Sequence, residues 1–166
     1  MKNHSLWTLA IMVIGSSMAL SAAVQAAPDL KRTFQPLYDR LDKANANKNS
    51  NIILSMHSPS YLTFDEKGEK HNLDHVREGM LELFAKYKII HFKTVVQSAT
   101  VAKGGAVIVA HTQGILVRDS SVPGQEVTIT TDEGDRDYWI KSPDGWKMEQ
   151  ERTLFFHQTR NKVAVQ

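Results

Sequence analysis

Four stretches in the second half of the chain constrain its fold most. Residues 89–101, 106–118, 127–141 and 146–156 are rich in Val, Ile and Thr, the residues that suit a pleated, half-buried surface. Lys103-Gly104-Gly105 separates the first two and Ser142-Pro143-Asp144-Gly145 the last two, both tight-turn signals. Two long hairpins are therefore predicted, in one antiparallel sheet. With no cysteine in the chain, disulfides, thiolate metal sites and Cys nucleophiles are excluded, and a buried core has to hold the sheet.

The first half reads as helical. Leu30, Phe34, Leu37, Leu41 and Ala44 recur at three- and four-residue spacing, one buried helix face, with Thr33 expected as N-cap so that Pro36 falls in the first turn. A short second helix is expected over 51–56. A third begins at Asn72 as N-cap and carries Leu73, Val76, Met80, Phe84 and Tyr87. Between them, residues 61–64 and those near Lys70 suggest a small hairpin around Asp65-Glu66-Lys67-Gly68. The expected class is α+β, with three N-terminal helices packed on one face of a curved antiparallel sheet.

Residues 1–26 read as targeting sequence. Lys2 precedes a mostly apolar run over 6–20, and Val24-Gln25-Ala26 fits a small-residue cleavage pattern. Cleavage is expected after Ala26, with periplasmic or secreted export. Gly15, Ser16, Ser17 and Ser21 interrupt the run too early for a membrane span, so no stable membrane anchor is expected. The remainder, 27–166, is expected to form a single domain, large enough to bury roughly two thirds of its unfolded-chain surface. With 20 Lys+Arg against 18 Asp+Glu, a net charge of +2, the chain lacks the basic excess of nucleic-acid binders.

The segment 136–150, "RDYWIKSPDGWKMEQ", resembles the closing hairpin of the NTF2-like superfamily, the cone fold of SnoaL-like cyclases and ketosteroid isomerase. The segment 60–68, "SYLTFDEKG", is similar to the short hairpin after that family's second helix. The resemblance covers about residues 30–156. It implies a cone-shaped interior and pairing of two copies through the exposed sheet face into a homodimer; it specifies chemistry poorly.

Strand alternation limits which residues share that interior. Asp135, Asp137 and Trp139 point one way; Trp146, Met148, Gln150 and Arg152 share a face of the last strand. The resemblance implies that the face bearing the turn Trp looks inward, which makes Asp137, Trp139, Gln150 and Arg152 interior and pairs Asp137 with Arg152. His111 and Gln113 share one side of their strand. His111 or Asp137 is the candidate general base, and Tyr61, Gln113, Trp139, Gln150 and Arg152 are the candidate pocket residues.

Ketosteroid isomerase carries a Tyr and two carboxylates. Tyr61 and Asp137 are partial matches, and no second interior carboxylate is expected. The dehydratase relatives use a His–Asp pair, which His111 and Asp137 would supply if both face inward.

His71 and His75 have i, i+4 spacing but lack the Glu of a zincin motif and read as surface histidines. The acidic run Asp132-Glu133-Gly134-Asp135 reads as solvated. No metal site and no cofactor are implied. Three functions stay open: a binder of a small, largely apolar molecule; a lyase or isomerase; and a ligand-free homodimeric interaction module. An open cavity with a desolvated acid or His favours the enzyme, an open cavity without titratable groups the binder, and a filled cone the interaction module.

Overall fold

The computed structural model describes residues 29–164. The leader and its cleavage site lie outside the described residues. Helix α1 spans Leu30–Ala46, α2 Ser50–Ser55, and α3 Leu73–Lys86. The strands are β1 His57–Phe64, β2 Lys70–Asn72, β3 Ile89–Ala102, β4 Gly105–Asp119, β5 Gln125–Ser142 and β6 Gly145–Ala164.

The N-cap of α1 is Asp29, whose carboxylate accepts from the Arg32 N–H at 3.4 Å, and not Thr33. Pro36 therefore lies inside the helix, where it removes one intrahelical hydrogen bond. Asn72 does cap α3, accepting from the His75 N–H at 3.0 Å.

The curved sheet runs β2-β1-β6-β5-β4-β3. Both long hairpins are antiparallel, but β1 lies parallel to β6, so the sheet is mixed. The third helix follows the small hairpin β1–β2, as expected, so two helices precede the first strand and all three precede the long strands; the parallel β1–β6 pairing is what departs from the expected antiparallel sheet. Parallel neighbours need a crossover connection, and everything between β1 and β6 serves as one. No local sequence signal announces such a pairing.

All three helices pack on one face. Phe34 is fully buried, its ring edge-on to Trp139 at 5.6 Å and 4.9 Å from Trp146. Around them Met56, Ala106, Ile108 and Met148 close the narrow end. Burying each large side chain contributes about 1.5–3 kcal/mol. A second cluster, built from Tyr87, Ile90, Leu116, Val127 and Ile129, lies under Leu83 and Phe84 of α3 at the wide end.

Helix α1 also covers the open edge of β3. Gln35 donates to the Thr94 carbonyl at 2.8 Å and accepts from the Val96 N–H at 2.9 Å, while Asp42 accepts from the Thr94 N–H at 2.7 Å. Edge groups that would otherwise invite another strand are satisfied within the chain.

Candidate functional site

Between the two clusters the cone stays open. A cavity of about 260 Å³ lies between the helices and the inner face of the sheet. Its helix-side wall is mainly apolar, from Leu41, Ile53, Val76, Met80 and Leu83, with Tyr38, Asp42 and Asn45 of α1 as its polar groups. Its sheet-side wall carries Glu133, Asp135 and Asp137 from β5 and Glu151 from β6.

The strand register puts these acids together. Ile108, Asp137 and Glu151 are direct partners across β4, β5 and β6, so their side chains share one face. Counting back from the buried Trp139, every second residue of β5 points inward: Asp137, Asp135, Glu133. Burial falls along that ladder, from Asp137 at 2% exposed and Asp135 at 8% to a partly exposed Glu133.

Asp137 is held from below. The Tyr38 hydroxyl donates to its Oδ2 and accepts from the Trp139 Nε1–H at 3.1 Å. Its other oxygen, Oδ1, is buried without a partner, as is Oδ1 of Asp135. Thr63 donates to Glu151 at 3.4 Å.

Among the described residues, no Lys or Arg lines the cavity. Burial, and then the neighbouring Glu151 charge, pushes the Asp135 carboxyl up to about 9 and Glu133 up to about 7. The same two causes hold Asp137 well above the usual carboxylate range, and burial raises Glu151. Burial likewise raises Tyr38 and Tyr61. His57 is pulled down by burial; its Nδ1 lies 2.8 Å from the Ile53 carbonyl, which can only accept, so that nitrogen carries the proton. Near neutral pH the cavity thus presents Asp135 as a carboxylic acid, Glu133 near its midpoint, and phenols.

Of the residues singled out from sequence, Asp137 and Tyr61 line this cavity, and Trp139 lies beneath it as the support of Tyr38. The other four are on the opposite face of the sheet. Glu149 is the reason for two of them: Met148 faces Trp139 and Gln150 faces Tyr138, so Glu149 is an extra, bulged residue. Past it the alternation reverses, Glu151 turns inward, and Gln150 and Arg152 turn outward.

Arg152 is exposed, its guanidinium 4.8 Å from the Phe64 ring, and makes no pair with Asp137. His111 and Gln113 share the outer parity. His111 Nε2 lies 2.6 Å from Asp132 Oδ1, so its acidic partner is Asp132 and not Asp137. Gln113 lines a hollow of about 500 Å³ on that outer face, together with His91, Asp132 and His157.

The expectations of a solvated acidic run and of no second interior carboxylate are corrected as well. Asp132 faces solvent, but Glu133 and Asp135 face the cavity. The signal was parity with Trp139, which places both on the inner side. Glu151 carried no such signal, because its orientation depends on the bulge. Tyr38 was legible only as one more residue of a helix.

No family model matches the chain, and no curated protein does. Solved structures match over most of its length. An NTF2-like superfamily protein from Salmonella enterica serovar Typhimurium aligns with 75% of this chain and 89% of its own, at 14% identity and TM-score 0.60. The fold is NTF2-like. A conserved protein from Planctomyces limnophilus aligns with 80% of this NTF2-like chain and 96% of its own, at 10% identity and TM-score 0.65. A ketosteroid isomerase-like protein from Erwinia carotovora atroseptica covers 76% and 96%, at 10% identity and TM-score 0.58. At these identities the likeness carries the NTF2-like fold and no chemistry.

Proposed function

We propose that this chain is an exported NTF2-like protein that takes a small molecule with an apolar body into its cone. The observation that carries this reading is the open cavity, with one apolar wall and one wall of hydrogen-bonding acids, which is how small-molecule sites are built. A filled cone would have favoured the interaction module. Native mass spectrometry of the protein expressed in its natural host tests the reading: a retained small molecule, lost on widening Val76 or Met80 contacts to polar residues, supports it. A mass equal to the bare chain under every gentle condition, with no small molecule recovered on denaturation, counts against it.

The same cavity holds acids raised by burial, the feature expected of an enzyme, and this favours a second reading, a lyase or isomerase. Glu133, raised to about 7, can accept a proton near neutral pH, and Asp135, raised to about 9, holds one to donate. In that reading Glu133 is the base and Asp135 the acid, the original candidate Asp137 supports them from the floor, and His111 has no part. Turnover of the retained molecule, abolished in Glu133→Gln or Asp135→Asn with the fold intact, distinguishes enzyme from binder.

The outer sheet face supports a two-fold homodimer. Ile89, Val95 and Ile115 are 52%, 42% and 44% exposed there. Sedimentation at micromolar concentration checks it; a monomer contradicts it.

A further inference from the structure

Charge inside the cone is one-sided. Glu133, Asp135 and Asp137 come from β5, Glu151 from β6 and Asp42 from α1, and the cavity's one imidazole is the neutral His57. Its phenols are Tyr38 and Tyr61; β3, β4 and α3 contribute Phe92, Thr94, Thr112 and apolar groups, none of them titratable. Asp137 is 98% buried, yet its Oδ1 has no hydrogen-bond partner. Buried oxygens normally find a donor, so this one asks for a donor that the protein does not supply.

The spacing of the acids says what kind of donor. Successive inner positions of a strand are about 6.6–6.8 Å apart, so Glu133, Asp135 and Asp137 spread over about 13 Å from mouth to floor. A metal ion needs its ligand atoms gathered around one point. Among the described residues the one set with three ligand atoms within 4.8 Å of each other is Asp65, Glu69 and His71, from the β1–β2 turn and β2. Acids strung along a line facing an apolar wall match positive charges strung along a line and separated by methylenes. One ammonium group would leave most of the ladder unanswered.

We propose that the cavity is a binding site for a linear aliphatic polyamine, its protonated nitrogens following the ladder from Glu133 to Asp137 and Glu151, its methylenes lying on Ile53, Val76 and Met80. This rests on the reading of the cone as a small-molecule site and names the class of ligand. Each ammonium group requires an ionised partner, so loading the site drives protons off the acids. Affinity therefore rises with pH across the range in which the empty site still holds them, from about pH 6 to about pH 9. A neutral ligand that accepts hydrogen bonds from carboxylic acids shows the opposite trend.

Isothermal titration calorimetry with spermidine, in two buffers of different ionisation heat, is the test. The expected result is one spermidine per chain, proton release on binding, and an affinity at least about 10-fold higher at about pH 8.5 than at about pH 6.5. Glu133→Gln and Glu151→Gln each weaken binding by about 10-fold or more, and Asp132→Asn on the outer face leaves it unchanged. Glu133, partly exposed at the mouth, is the position where substitution least endangers folding. If 1,8-octanediol binds and spermidine at about 1 mM does not, the polyamine assignment is overturned while the small-molecule reading stands. If neither binds, both fall. Spermidine binding that is weakened by Asp132→Asn but not by Glu133→Gln, or that takes up protons, marks surface attraction or a neutral-type site and also overturns the proposal.

Discussion

The two faces of strands β4 to β6 are built from alternate residues of the same segments, yet they treat charge in opposite ways. Outside, Arg136 and Arg152 are exposed, His111 meets Asp132, and water screens whatever is left unpaired. Inside, the four carboxyls of the sheet and Asp42 of α1 share a desolvated hollow that, among the described residues, no Lys or Arg lines. The outer charges keep the sheet soluble and contribute little to stability. The inner acids are tolerated because they hold protons, and they remain available to a ligand. One bulged residue, Glu149, decides which of Glu151 and Arg152 belongs to which face. With one-for-one pairing from Trp139 and Met148 onward, Arg152 would stand opposite Asp135 and turn into the cone.

The largest expected effect probes the apolar floor under the inner face. Phe34→Ala removes a fully buried ring that touches Trp139 and Trp146, and should destabilise the fold by about 3–5 kcal/mol in chemical denaturation.

Next comes pH. The folded-state values of Glu133 and Asp135, about 7 and about 9, lie above the values of 4.5 and 3.8 for unperturbed groups. Between those limits the unfolded chain holds fewer protons than the folded one, so stability falls as pH rises. Their contribution is fully present below about pH 4 and lost by about pH 9. Thermal unfolding of the empty protein should therefore show its highest Tm on the acid side of neutrality. Asp135→Asn should flatten the profile and raise stability at pH 8 by about 1–3 kcal/mol, because an amide never has to ionise in the hollow. A profile rising from pH 5 to pH 8 would contradict the separation of the two faces.

Smallest are the outer substitutions. Arg152→Met and His111→Ala should each change stability by less than about 1 kcal/mol. A loss of several kcal/mol from Arg152→Met, rescued by Asp137→Asn, would mean that the bulge is misplaced and that the pair expected from regular alternation exists.

Much of the fold was legible because it rests on local chemistry. Val-, Ile- and Thr-rich runs, two glycine-containing turns and the Asn72 cap mark their elements by themselves, and the closing hairpin over 136–150 carries the resemblance to the cone fold. What stayed hidden depends on partners distant in sequence. The parallel pairing of β1 with β6 has no local signature, and neither has the bulge at Glu149, although it reassigns Gln150, Glu151 and Arg152. Thr33 was preferred as a cap because Pro36 is cheapest in a first turn, whereas Asp29 caps one turn earlier. Asp137 was found because it shares parity with Trp139. Asp135 and Glu133 share the same parity, but a run of acids reads as solvated until a hydrophobic anchor fixes its face.

Burial and the crowding of acids hold the Asp135 carboxyl protonated at neutral pH in the ligand-free protein and bring Glu133 to its midpoint there. Carboxyl ¹³C NMR of the ligand-free protein, titrated across the acid and alkaline range and assigned with Glu133→Gln and Asp135→Asn, tests it most directly. Asp135 should titrate near 9 and Glu133 near 7. If Asp135 and Glu133 both titrate in the ordinary carboxylate range, the hollow is solvated, and the account of a desolvated acid ladder is wrong.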